Sequence, residues 1–81
     1  MDEITKFLLK LHKKERQYLQ SIIFPKIRDL KLKGLSIKKI SGFSLWRIRH
    51  GKIRIIFAKI NGKGVLVRIG FRGGDIYKNL K

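Results

Sequence analysis

The sequence predicts an α+β domain, with N-terminal helices packed on one face of a small antiparallel β-sheet. Two observations carry this. In the first third, Ile4, Phe7, Leu8, Leu11, Tyr18, Leu19, Ile22 and Ile23 recur at three- and four-residue spacing and make one apolar stripe. From Phe43 onward the pattern changes to alternation rich in β-branched and aromatic residues, broken by the glycine-bearing turns His50-Gly51 and Asn61-Gly62-Lys63-Gly64. With 81 residues the chain is long enough for one domain, 1–81. Its helical part spans about 2–33, its sheet about 43–72 and a C-terminal tail 73–81.

Asp2 is placed to cap the first helix, and Glu3 favours the positive end of its dipole. The stripe lapses near Glu15, so a break around residues 12–14 would give a helical hairpin. Pro25 lacks a donor and clashes with the carbonyl four residues back, yet Ile27 and Leu30 continue the stripe. A helix kinked at Pro25 and running to about Leu32, with Gly34 as its stop, is expected. Residues 36–42 read as a loop or irregular edge. Three strands are expected at about 43–49, 52–60 and 65–71, with His50-Gly51 as a two-residue hairpin turn. No internal repeat or low-complexity segment interrupts the pattern.

Charge narrows the function classes. Twenty-one Lys and Arg stand against five Asp and Glu, a formal net charge of +16. Such a chain repels itself and attracts polyanions, nucleic acid first among them, because each neutralised phosphate releases condensed counterions. An anionic membrane would require a helix apolar on one face and basic on the other, which the N-terminal helix meets only in part. The absence of cysteine excludes disulfides and thiolate metal sites and fits a reducing cytoplasm. No apolar run approaches the length that spans a bilayer, and no signal peptide is visible.

The arginines fall in a pattern. Side chains alternate across a strand, so Arg47 and Arg49 share a face opposite Trp46 and Ile48. A His50-Gly51 turn would pair Arg49 with Lys52 and Arg47 with Arg54, bringing four cations to one surface. Like charges directly opposite one another are destabilising, so this arrangement suits an anion seated there. In the last strand, Val65, Val67, Ile69 and Phe71 alternate with Leu66, Arg68, Gly70 and Arg72. Arg68 and Arg72 join the cationic face if the second hairpin loop has an odd number of residues.

Few reactions fit. No carboxylate pair, metal-ligand cluster or GxxxxGK[ST] loop is present, and no cofactor or metal is expected. The glycine-rich stretch at 70–74 ends a strand and opens no long helix, unlike a dinucleotide fingerprint. A metal-free reaction stays open, because RNA carries its own nucleophile in the 2′-hydroxyl. Arginines can stabilise phosphorane charge with bidentate geometry but stay protonated. Proton transfer therefore needs another group. Tyr77 is the candidate, and His50, in its turn beside the arginines, is a second group that could donate or accept a proton.

The stretch Lys39-Ile40-Ser41-Gly42-Phe43-Ser44-Leu45-Trp46-Arg47-Ile48-Arg49-His50-Gly51-Lys52-Ile53-Arg54-Ile55-Ile56-Phe57 resembles the central sheet of RelE/ParE superfamily toxins. Ile69-Gly70-Phe71-Arg72 with Ile76-Tyr77 resembles their last strand and C-terminal tyrosine, and the helical segment resembles their helical pair. The resemblance implies a RelE-like fold and the toxin of a toxin–antitoxin system, a ribosome-dependent endoribonuclease that cleaves messenger RNA. It implies that Arg47 and Arg49 contact the scissile region, that Arg54 and Arg72 stabilise the phosphate, and that Tyr77 takes part in activating the 2′-hydroxyl. Lys38, Lys39, Lys52, Arg68 and His50 complete the expected RNA contacts. The implied partners are the ribosome, its messenger and an acidic antitoxin, with no membrane and no small-molecule cofactor. Gyrase-inhibiting ParE-type members generally lack the full set, and a gyrase-binding toxin or a non-catalytic RNA-binding module are the alternatives. Three departures stand out. Arg47 and Arg49 occupy positions where the best-known members carry Lys. Phe71 occupies one where many carry His or Lys. Helix signals begin at Asp2, where the family opens with a strand, so a smaller sheet or a truncated start is expected.

Overall fold

The computed structural model describes residues 2–73. Helix α1 (Glu3–Leu9) starts where the Asp2 carboxylate accepts the Thr5 amide at 2.7 Å, the cap read from the sequence. That hydrogen bond draws the Asp2 carboxyl below its ordinary pKa. The chain breaks at residues 10–12, and helix α2 (Lys13–Tyr18) restarts with the His12 imidazole accepting the Lys14 amide at 3.4 Å. A π-helical turn (Leu19–Ile23) follows, then α3 (Phe24–Arg28). Pro25 cannot donate to Ser21, and the wide turn ends at this point, with the Phe24 amide donating five residues back to Leu19.

This extra residue in the turn changes which side chains face inward. Leu19, Ile23 and Ile27 are buried, whereas Tyr18 and Ile22, expected in the stripe, are exposed. The helix also ends at Arg28, short of Leu32. Leu30 takes a left-handed φ of 53°, with its amide on Ile27 and the Lys31 amide on Lys26. This is a Schellman stop in which leucine occupies the position usual for glycine. Gly34, φ 86°, instead turns the chain between Leu32 and Leu35 into the first strand.

The sheet has four antiparallel strands in sequence order: β1 (Ser36–Lys39), β2 (Trp46–His50), β3 (Ile53–Ile60) and β4 (Lys63–Phe71). The segment expected as loop or irregular edge is thus an edge strand. With one apolar residue and two lysines, β1 is mostly exposed, as an edge that resists further pairing. Both hairpin turns differ in frame from expectation. His50 pairs with Ile53, so the first turn is Gly51-Lys52, with Gly51 at φ 57°. Ile60 pairs with Lys63, so the second is Asn61-Gly62, both residues at positive φ as a type I′ turn requires.

A two-residue second loop would put Arg68 opposite Ile55 and turn it into the core. The register shifts instead. Phe57 pairs with Leu66 and Ile56 with Arg68, leaving Val67 as a bulge. Beyond the bulge Ile69 faces Ile55 and Phe71 faces Ile53, and Leu66 takes an inward place before it. Val65 and Val67, expected with Ile69 and Phe71 on the apolar face, are 43% and 42% exposed.

The core lies between the helices and the inner face of β2–β4: Phe7, Leu8, Leu11, Leu19, Ile23, Ile27, Ile48, Ile53, Ile55 and Phe57. Each large side chain fully removed from water contributes about 1.5–3 kcal/mol. Helices α1 and α3 both pack on β4. α3 comes closest at Gly64, where an added Cβ would overlap the Ile27 carbonyl. Asp29 then ties the end of α3 to β4 through Arg28 at 3.2 Å and Lys63 at 3.6 Å. The Arg28 hydrogen bond lowers the Asp29 pKa, so what this exposed pair adds is present above the ordinary carboxylate range and is lost as pH falls through it. Among the described residues no helix is long and apolar enough to cross a membrane.

The bulge makes a specific prediction. Deleting Val67 leaves every other residue on its present face and converts the ladder to a regular one, so the variant should fold, with its melting temperature within a few degrees of the parent. Deleting Ile69 slips Arg68 or its neighbours into the core and should unfold the chain. Gly64→Ala should destabilise by about 1–3 kcal/mol in urea titrations, as overpacking does. A folded Ile69 deletion, or an unfolded Val67 deletion, would contradict this register.

Candidate nucleic-acid interface

The outer face of the sheet, away from the helices, is organised as rows across the strands. One row reads Lys38, Arg47, Ile56, Arg68 and the next Ser36, Arg49, Arg54, Gly70, each residue directly opposite its neighbour. Arg72 follows β4, is exposed, and its amide donates to the Lys52 carbonyl at 2.6 Å, extending the ladder by one bond. The structure therefore brings Lys38, Arg47, Arg49, Arg54 and Arg68 onto one face, with Lys52 and Arg72 at its end. The pairing differs from the expected one: Arg49 faces Arg54, and Arg47 faces Ile56.

Arg54 has an unexpected environment. It is 7% exposed, and its Nη1 donates to the Gly51 carbonyl at 2.7 Å and to the Ile53 carbonyl at 2.9 Å. The guanidinium thus holds the β2–β3 turn from beneath, opposite Gly70, which offers no side chain. Among the described residues no carboxylate lies within ion-pair distance of it, whereas Asp29 pairs with Arg28 and Lys63. The described acids, Asp2, Glu3, Glu15 and Asp29, all belong to the helices or their caps. None of these described acids lies on the outer face of the sheet.

Two expected contacts lie elsewhere. His50 alternates with Arg49 and so faces the helices. Its ring stacks on Tyr18 of α2, centroids 5.3 Å apart and planes 15° apart. It was expected in the turn beside the arginines, but the Gly51-Lys52 frame places it one residue earlier, at the end of β2 on the opposite side. Lys39 also lies on the inner side, opposite Trp46. Its ammonium sits 5.7 Å from the indole centre, and that of Lys59 sits 4.3 Å away, both in cation–π range. Tyr77 lies outside the described residues.

The outer face is not uniformly cationic. Ile56 is fully buried there beneath Ile40 and Leu45. These two residues bracket a turn held by the Ile40 amide on the Leu45 carbonyl at 2.9 Å and the Phe43 amide on the Ile40 carbonyl at 3.2 Å. Gly42, at φ 81°, occupies the third position of Ile40-Ser41-Gly42-Phe43, as a type II turn requires. The turn walls a cavity of about 250 Å³ lined by Lys38, Lys39, Ile40, Ser41 and Arg47. The sequence reading assigned Phe43 to a strand; the Gly after Ser41 was the signal for a turn.

Comparisons with protein-family models, with curated proteins and with solved structures each match nothing to this chain. Among the described residues no group of three or more His, Cys, Asp or Glu could hold a metal ion. The arrangement suits binding an extended polyanion across the strands, with Arg49 and Arg72 exposed to reach it.

Arg54 and Arg49, though paired, should respond oppositely to substitution. Arg49→Ala removes one of two facing cations and should leave stability unchanged or raise it. Arg54→Ala leaves two turn carbonyls without their donor and should cost about 1–3 kcal/mol. Burial and two hydrogen bonds, which alternation alone does not reveal, set Arg54 apart from Arg49. Chemical denaturation of both variants in one buffer checks this, and an Arg54→Ala protein as stable as its parent would contradict the role assigned to the guanidinium.

Proposed function

We propose that the outer face of the sheet binds single-stranded RNA and that the protein is a ribosome-dependent endoribonuclease, the toxin of a toxin–antitoxin system acting in the cytoplasm. The observation that carries this is the directly opposed pairs Lys38–Arg47 and Arg49–Arg54 on a face without a described carboxylate. Phosphates seated on such a face would gain from several cations at once and release their own condensed counterions. A sheet face suits an unpaired strand better than a duplex, which is read by elements that enter a groove. The resemblance of residues 39–57 and 69–77 to RelE-type toxins supplies the reaction.

In that reaction the 2′-oxygen attacks the adjacent phosphorus. A new O–P bond forms, the bond to the 5′-oxygen breaks, the 2′-proton passes to a base, and the departing 5′-oxygen takes up a proton. Arg49 and Arg72, both exposed, supply positive charge to the phosphorane, and Arg54 acts from beneath by holding the β2–β3 turn. The proton steps fall to Tyr77 in this proposal, because His50 is stacked on Tyr18 on the other side of the sheet. That position of His50 also favours a second reading, a basic RNA-binding module without catalysis. An acidic antitoxin would complement the net charge of +16.

Single-turnover cleavage of messenger on purified ribosomes tests the proposal. The parent should cleave. Arg72→Ala should be about a hundred- to a thousand-fold slower, as for loss of one preorganised donor. Tyr77→Phe should be slowed about a hundred-fold or more with ribosome binding retained. A parent that binds ribosomes but leaves messenger intact would reject the nuclease and leave the binding module.

A further inference from the structure

We propose that the cavity between β1, β2 and the turn at residues 40–45 is a nucleotide subsite, with Lys38, Arg47 and Ser41 around a phosphate and the adjoining base stacked on Phe43. The inference rests on the RNA reading of the outer face and adds a specific pocket and a stacking residue to it.

The pocket lies at the end of that face away from the Gly51-Lys52 turn. Lys38 and Arg47 are directly opposed across β1 and β2, so two cations flank one opening. Ser41 adds a hydroxyl to the wall. Phe43 follows Gly42 in the type II turn and is 38% exposed. It belongs to neither buried cluster, unlike Ile40 and Leu45 on either side of it, which anchor the turn on Ile56. The turn is therefore fixed by two apolar residues while it presents a third, larger one to solvent. Phe43 lines a second hollow that shares Lys39, Ile40 and Ser41 with the cavity, so one anchored turn joins an exposed ring to a cationic opening, the combination that single-strand binders use: phosphates meet charge and bases meet a π-face.

This class of ligand makes two separable demands. Phosphate contacts respond to salt, whereas stacking does not. Binding of a labelled oligouridylate, followed by fluorescence anisotropy across a salt series, reads both. Phe43→Ala should weaken binding about five- to a hundred-fold with the salt slope unchanged. Phe43→Trp should retain affinity. Lys38→Ala should flatten the slope by about 0.7. An oligouridylate carrying abasic residues should bind the parent more weakly and Phe43→Ala no more weakly than the intact strand. Thermal unfolding of each variant accompanies the titrations, and the exposed ring should leave it unchanged.

Salt-dependent binding that Phe43→Ala leaves untouched overturns the subsite while the RNA reading stands. Failure of the parent to bind oligouridylate overturns both. Oligoglutamate bound as tightly as RNA, with the same dependence on Phe43, assigns the pocket to an acidic peptide and overturns the nucleotide assignment.

Discussion

Arg68 joins the cationic face because of one residue without a partner across the sheet. The Asn61-Gly62 turn is a strong two-residue hairpin signal, and its geometry fixes the register of β3 against β4 at the loop end. Carried unbroken, that register would turn Arg68 inward and Ile69 outward. Burying an uncompensated guanidinium costs far more than a local break in the ladder. The bulge at Val67 resolves the conflict by giving the loop end one frame and the far end another. Leu66 serves the core before it and Ile69 after it. Arg68 completes the row that begins at Lys38.

Strand β3 shows how the two faces share one backbone. Five consecutive residues, Ile53 to Phe57, are buried. Ile53, Ile55 and Phe57 meet the helical layer, while Ile56 lies under the 40–45 turn and Arg54 folds back on the β2–β3 turn. The outer face is thus partly built and partly open. Its buried arginine organises the turn, and its exposed cations surround a small apolar anchor. Separation of charge reinforces this, because the described acids all sit with the helices. The helical side balances some of its own cations, as Asp29 does for Arg28 and Lys63.

Much of the fold was legible in the sequence because it depends on period. The helical stripe, the change to alternation at Phe43 and the placing of Arg47, Arg49 and Arg54 on one face all follow from side-chain direction alone. What depended on frame was less legible. Shifting the first turn from His50-Gly51 to Gly51-Lys52 sends His50 to the helical side and changes the partners of both neighbouring arginines, although both frames contain the same glycine. The bulge had no residue signature, since Val67 fits a regular strand as well as a bulged one. The π turn moved Tyr18 and Ile22 outward, although their spacing matched the stripe. The edge strand β1 was hidden by its composition, because edges are mostly polar. In the site, the cations could be read from alternation, whereas the hydrogen bonds of Arg54 and the cavity behind Lys38 come from tertiary packing.

The central claim is that RNA meets the outer face of the sheet and not the helical layer. The side-chain Nε–H signals of the arginines report this directly in a two-dimensional NMR titration with single-stranded RNA. Arg47, Arg49, Arg68 and Arg72 should shift or broaden, while Arg16 on α2 and Arg28 at the end of α3 stay in place. Shifts concentrated on Arg16 and Arg28, with the sheet arginines unmoved, would contradict the account.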